Sequence, residues 1–261
     1  MNLIRSFYKT AVMESASLVG ESSYFFIGYL FRFLRVIVLL SLWRTILAGK
    51  SDTALTLGAV LTYTLIAEAF VEQLTPRTDI EWAMHDGGIA TRFLQPLSLV
   101  AQFSSLMVGR WLFALAFVSI PLLFSAPLLG VNPAPASAPA ALWFALSLTL
   151  TIAIGVALDF LFAGSFALVE GSAYLVGQIR SALTTLLSGS LIPLAFFPWG
   201  LGELLQWLPF ASLASTPLRI YTGSGDPLFL VTVQLGWVVV LWPLALWLWR
   251  INREKLVLYG G

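Results

Sequence analysis

PRTDIEWAMHDGGIATRFLQPL, residues 76–97, is the one long polar interruption between apolar stretches in the first half of the chain. This central segment carries three carboxylates, the only histidine and two arginines: Asp79, Glu81, Asp86, His85, Arg77 and Arg92. Such a run of charge is too costly to leave in hydrocarbon. If the flanking stretches are membrane helices, the central segment is the largest surface that the front half offers to water. It is therefore the best place for a soluble partner to act.

The composition predicts an all-α integral membrane protein. Of 261 residues, 59% are hydrophobic and only 10% are charged, whereas soluble domains carry roughly 25% charged residues. A net charge of +1 gives no basis for binding nucleic acid, which needs a clustered basic surface. With no cysteine and one histidine, we expect no disulfide, no thiol catalysis and no cysteine-ligated or multi-histidine metal site.

Residues 1–20 predict an amphipathic helix that lies in the headgroup plane of the membrane. Ile4, Phe7 and Ala11 recur at helical spacing, while Arg5 and Lys9 fall on the opposite side. The basic side would meet anionic lipid. A plain water-soluble helix is the alternative that this pattern leaves open.

Six apolar stretches predict membrane spans within a single domain over residues 1–261. Each approaches the roughly 20 residues that a bilayer core requires. The six are 24–47, 55–74, 99–123, 141–166, 174–192 and 228–249.

Between the fifth and sixth spans, residues 193–226 are largely apolar but interrupted by prolines, which remove a backbone donor and break helices. We expect a helical hairpin here rather than a straight span, with short helices near 201–208 and 210–219. Most lysines and arginines fall on the side that holds both termini and the central segment. The positive-inside rule therefore places that side in the cytoplasm and this proline hairpin outside.

Ionisable residues inside spans are costly and mark either function or internal pairing. Five lie in or beside the predicted spans: Glu68, Arg110, Asp159, Glu170 and Arg180. We predict that Arg110 pairs with Glu68 or Asp159, and that Arg180 pairs with Glu170. Contact with substrate or gating is the alternative reading.

The proline hairpin concentrates aromatic and proline side chains: Pro193, Phe196, Phe197, Pro198, Trp199 and Phe210. These side chains suit an interfacial aromatic belt. They also suit an outer gate that closes a pathway between two subunits. The sequence does not separate the two uses.

Three signatures in topological order carry a family resemblance. They are Gly88, Leu94, Pro96 and Leu97 in the central segment, then Ser188, Gly189, Ile192 and Pro193, then Leu208, Pro209 and Phe210. Together with the order of the spans, they make the chain resemble the membrane subunits of bacterial ABC-2 type transporters over nearly its whole length.

The resemblance implies a permease subunit of an exporter in the bacterial cytoplasmic membrane. Two such subunits, identical or homologous, would pair, and two copies of a separate ABC ATPase would supply ATP and Mg chemistry from the cytoplasmic side. By the same resemblance, we expect this chain to hold no cofactor of its own and to lack enzymatic activity. Its one near match to a phosphate-binding loop has Gly49, Lys50 and Ser51 in place, but Arg44 stands where the first glycine is needed.

The resemblance also implies that residues 80–93 form a coupling helix that docks in a groove of the ATPase. The residues carried over to this role are Ile80, Glu81, His85, Asp86, Gly87, Arg92 and Phe93. A solvated loop without a partner is the alternative. An amphipathic or hydrophobic cargo, such as a drug-like antibiotic, a lipid or a lipid-linked glycan, suits a path poor in fixed charge. An ion-driven secondary carrier and an intramembrane enzyme are the rival functions.

Overall fold

The structure is a computed structural model that describes residues 3–20, 22–49, 54–95, 97–169 and 173–258. This part of the chain forms helices and turns, and no strand occurs in it. The α-helices are α1 (Leu3–Gly20), α2 (Ser22–Ile46), α3 (Leu57–Ala69), α4 (Val71–Leu74), α5 (Ile80–His85), α6 (Gly88–Arg92), α7 (Leu99–Ala114), α8 (Ile120–Ser125), α9 (Ala138–Val169), α10 (Ala173–Leu187), α11 (Leu201–Leu205), α12 (Ser215–Thr222) and α13 (Pro227–Leu258). A π-helical turn (Leu115–Ser119) and two 3₁₀ turns (Ala126–Leu129 and Leu194–Phe196) complete the set.

Three helical stretches in the described part are long and apolar enough to cross a membrane: Leu99–Leu129, Ala138–Ser165 and Pro227–Ile251. They correspond to the third, fourth and sixth predicted spans. The second predicted span corresponds to the shorter apolar helix Leu57–Ala69, and the first and fifth correspond to α2 and α10. The count of six spans stays a prediction.

The second and third predicted spans are not straight helices. The second breaks at Phe70, whose backbone leaves helical geometry between α3 and α4. The third contains the π-helical turn directly before Pro121. The hydroxyl of Ser119 in that turn donates to the carbonyl of Ala69 at 2.6 Å. The break after α3 and the π-helical turn therefore lie next to each other. The hydroxyl of Ser119 in the turn satisfies the carbonyl of Ala69 at the end of α3.

The fifth predicted span ends earlier than expected, because α10 stops at Leu187 instead of continuing to 192. Gly189 follows with φ 76°, a left-handed conformation that glycine adopts readily and that commonly ends helices. The carbonyl of Ser188 accepts from the amide of Ser215 at 2.8 Å. The chain thus turns into the proline hairpin, where α11 begins as predicted but is shorter, and α12 begins five residues later than predicted.

The centre of the fold is the pair α9 and α13. The two helices run parallel, since Phe144 shares a cluster with Leu230, Ile154 with Leu241, and Phe160 with Trp249. Around them, α12 and α10 pack on α9, while α2 packs on α3 and α1 packs on α7. The central segment closes one end of this bundle and the proline hairpin closes the other.

Gly109 sets the distance between α1 and α7. A β-carbon at this position would collide with the backbone carbonyl of Ala11 and with the side chain of Glu14. We predict that Gly109→Val lowers the thermal denaturation midpoint of the detergent-purified protein, because overpacking typically costs about 1–3 kcal/mol. Size-exclusion chromatography after heating measures this midpoint.

Gly236→Val is the matched control for Gly109→Val, since a β-carbon at this helical glycine meets no atom within 4 Å. It changes helix propensity equally but leaves the packing alone. Equal midpoints for the two variants would contradict the close packing of α1 on α7.

Candidate functional site

The central segment folds as two short helices rather than as one. α5 begins after Asp79, whose φ of 55° is left-handed, and α6 begins after Gly87, whose φ is 77°. The carboxylate of Asp86 accepts from the amide of Gly88 at 2.9 Å. The glycine pair therefore separates α5 from α6.

One side of the central segment is buried in the bundle. Ile80 and Ile89 are fully buried and Met84 is nearly so. They pack with apolar side chains of α7, α9 and α13, including Phe103 and Phe160. This contact fixes the two short helices against three of the long ones.

A buried ion pair lies directly behind the start of the central segment. The guanidinium of Arg180 on α10 meets the carboxylate of Asp159 on α9 at 2.5 Å, and both side chains are almost fully excluded from solvent. The amide and the hydroxyl of Thr78 donate to Asp159 at 2.5 and 2.9 Å, and Arg180 donates to the carbonyl of Pro76 at 2.6 Å. Each charge therefore has a partner in the central segment as well as on a long helix.

A second, more exposed ionic layer surrounds this pair. Arg77 contacts Glu81 at 2.5 Å and Asp79 at 3.8 Å. Arg110 of α7 pairs with Asp79 and lies 4.0 Å from Glu14 of α1. Burial lowers the pKa of Arg77, but its hydrogen bond to Glu81 and the charges of nearby carboxylates raise the pKa by more, so Arg77 stays charged. The layer links α1 and α7 to the central segment.

Two glycines allow the central segment to approach this closely. A β-carbon at Gly155 of α9 would collide with the ring of Pro76, and one at Gly177 of α10 would collide with the side chain of Glu81. Both helices therefore offer bare backbone at the points of contact.

The other side of the central segment is exposed. His85 and Asp86 are exposed, and the exposed fractions of Trp82 and Leu94 are 48% and 87%. Trp82 also packs edge-to-face on Tyr174 of α10, with ring centroids 5.5 Å apart. An apolar side chain as open as Leu94 provides contact area for a partner.

Of the residues predicted to meet an ATPase, Ile80 and Glu81 do not point outward. Ile80 is inside the core and Glu81 is buried against Arg77. Their role in this chain is to hold the segment. Arg92 and Phe93 are half-buried, with the Arg92 guanidinium 4.8 Å from the ring centre of Phe103. Trp82 and Leu94 were not among the predicted coupling residues, but they are exposed together with His85 and Asp86.

The pairing predicted for Arg110 is wrong, since its partners are Asp79 and Glu14 rather than Glu68 or Asp159. Glu68 faces α2, where it meets Arg35 at 3.0 Å. Arg110 lies beside the start of the central segment and beside α1, so Asp79 and Glu14 are the carboxylates within its reach.

Arg180 pairs with Asp159, whereas the partner predicted for it, Glu170, lies outside the described residues. A further pair, Arg32 with Glu72 at 2.7 Å, joins α2 to α4. Arg32 and Arg35 are spaced by three residues in α2, and Glu68 and Glu72 are spaced by four residues within the second predicted span.

The residues predicted to form an outer gate do not meet in one place within this chain. Phe196 stacks on Trp43 of α2 with ring centroids 5.1 Å apart. Phe210 instead packs against the cluster between α9 and α13. Pro193 is buried and Pro198 exposed, while Trp199 is 92% exposed. A gate between two copies therefore stays a prediction.

We predict that Asp159→Asn strongly destabilises the protein. It leaves the buried Arg180 charge without a counter-charge, and breaking a buried pair from one side typically costs about 3–5 kcal/mol. The thermal midpoint of the purified variant measures the effect. Glu72→Gln is the control, because its pair with Arg32 is half-exposed and such surface pairs contribute about 0–1 kcal/mol. Similar losses in both variants would contradict the assignment.

Comparison with known proteins agrees with this architecture. No curated protein sequence matches the chain significantly. The family model of the ABC-2 family transporter protein matches residues 26–260, which include every predicted span except the first two residues of the first. The chain is therefore a membrane protein that belongs to the ABC-2 transporter family.

Proposed function

We propose that this chain is the permease subunit of an ATP-driven exporter in the bacterial cytoplasmic membrane. Proteins of its family are transport components that work with an ABC ATPase. In the proposal, two permease chains pair, two ATPase subunits bind the cytoplasmic face, and both termini lie in the cytoplasm. The observation that carries it is the two-sided central segment, exposed on one side and joined by charge to the long helices on the other.

The contacts of the central segment support a role in transmitting force. A partner that binds Trp82, His85 and Leu94 would move Pro76 and Thr78 with them, because α5 follows directly along the chain. Those two residues hold the charges of α9 and α10. Movement of the segment therefore shifts two long helices rather than a free loop.

The cargo in this proposal is amphipathic or hydrophobic. The two buried carboxylates of the apolar helices, Glu68 and Asp159, are each paired with an arginine inside the chain. A path along such helices offers few fixed charges to a hydrophilic ion. A drug-like antibiotic, a lipid or a lipid-linked glycan fits this surface.

The proposed orientation predicts opposite labelling of the two ends of the bundle. The chain has no cysteine, so single replacements give unambiguous signals. His85→Cys should react with a membrane-impermeant maleimide only after the membrane is opened. Glu203→Cys, in α11 of the proline hairpin, should react in intact cells or spheroplasts. Labelling of His85→Cys in intact spheroplasts would overturn the topology.

The proposed coupling predicts that the double variant His85→Ala, Leu94→Asn binds the ABC ATPase subunit much more weakly than the original protein does. Both side chains are exposed, so the fold should persist, while removal of central contact residues commonly weakens a complex by tenfold or more, about 1.4 kcal/mol. Co-purification with the partner ABC ATPase, and ATP hydrolysis by the complex, are the measurements.

Leu128→Asn is the control for this double variant. Leu128 is exposed to 88%, as open as Leu94, but lies in the 3₁₀ turn Ala126–Leu129 away from the central segment. Unchanged ATPase recovery and activity in the double variant would contradict the proposed coupling surface.

A further inference from the structure

A cavity of about 470 Å³ lies between the start of α3 and the proline hairpin. Its size is within the range of about 300–1,000 Å³ typical of small-molecule sites. Leu55, Pro193 and Phe197 form apolar wall. The proline hairpin also supplies the polar side chains Gln206, Arg219 and Glu203. The cavity lining therefore combines apolar surface with one cation and one carboxylate.

Arg219 is the cation of this cavity. Its Nη1 donates to Oε1 of Gln206 at 3.0 Å, which uses one of the five N–H donors of a guanidinium. No described carboxylate lies within ion-pairing distance of it. Arg219 thus differs from Arg110 and Arg180, which are neutralised inside the chain.

The backbone around Arg219 is rigid. α12 ends at Gly223 with φ 68°, and the amide of Ser224 donates to the Arg219 carbonyl at 2.9 Å. The neighbours Leu218 and Ile220 are fully buried. A half-buried, pre-positioned guanidinium favours a planar anion such as a carboxylate, or a phosphate.

α11 beside the cavity is two-faced. Gly202, Glu203 and Gln206 line the cavity, while Leu204 and Trp207 are exposed to 65% and 52%. Exposed leucine and tryptophan on a short helix at the bundle end suit the membrane interface. An acyl chain would therefore find apolar surface directly beside the charged opening.

We propose that this cavity binds the anionic headgroup of an amphipathic molecule. Arg219 contacts the phosphate or carboxylate of that headgroup, and the alkyl chain of the molecule lies along α11. The site is separate from the central segment. It depends on the proposed function only for its place on the outer side of the membrane. The molecule has two sources, a phospholipid of the bilayer or a single-chain amphiphile on its way out.

Binding of dodecyl phosphate to the purified full chain in a neutral maltoside detergent tests the proposal. Native mass spectrometry counts the adducts across a titration. Arg219→Gln should weaken binding about tenfold, the effect of removing a hydrogen bond to a charged group, and Arg219→Lys should retain part of it. Arg44→Gln is the control, because Arg44 bonds to the carbonyl of Leu129 outside the cavity and should bind like the original protein.

A second variant keeps the test decisive if Arg219→Gln does not fold. Ala195→Phe fills the cavity, whose wall includes the exposed Ala195, without touching the bond between Arg219 and Gln206. It should also weaken binding. Wild-type affinity in Ala195→Phe, or equal affinity of Arg219→Gln and Arg44→Gln, would overturn the proposal.

Competition identifies the source of the ligand. Displacement of dodecyl phosphate by dioleoylphosphatidylglycerol, in an Arg219-dependent way, assigns the site to bilayer lipid, and failure to displace assigns it to a single-chain amphiphile. Inorganic phosphate should compete poorly. If inorganic phosphate competes as well as dodecyl phosphate does, the alkyl chain of the ligand contributes nothing to binding and the proposal is overturned. No ATPase is present in these measurements, so a negative binding result would not contradict the proposed function. Equally, a negative result in the ATPase experiments would not contradict binding at this cavity.

Discussion

The ion pair between Asp159 and Arg180 is the constraint on which the rest of the structure depends. Moving two charges out of water costs several kcal/mol for each ion, and close pairing with added hydrogen bonds is needed to offset it. Here those added bonds come from Thr78 and Pro76. The arrangement of α9 and α10 therefore depends on the central segment, because Thr78 and Pro76 supply hydrogen bonds to the buried charges of these two helices.

The two ends of the bundle differ in how closely they are packed and in how their charges are paired. Near the central segment, charges cancel across helices and the approach is close, because Gly155 and Gly177 carry no side chain. Near the proline hairpin, the chain keeps a sizeable cavity, and Arg219 stays without a counter-ion among the described residues. One end is closely packed and joined by ion pairs, and the other retains open volume.

Much of this architecture follows from sequence, and what does not has identifiable causes. Apolar length predicted the three long apolar helices, and the run of charged residues predicted the interruption at the central segment. The pairing of Arg110 failed because spacing along a chain does not show that a loop residue, Asp79, lies level with α7. Burial of Ile80 and Glu81 was also invisible, since a short helix with mixed residues has no reliable periodicity. The cavity at Arg219 is built by elements far apart in sequence, and its residues form no motif.

The π-helical turn Leu115–Ser119 has one more consequence. Widening a single turn inserts an extra residue, which rotates everything after it by about 100° relative to an unbroken helix. The residues before it pack on α1, whereas Leu122 after it is buried against α3. The segment from α7 to α8 therefore presents one face to α1 before the π-helical turn and a different face to α3 after it. One membrane-crossing segment can thus contact helices on two sides of the bundle.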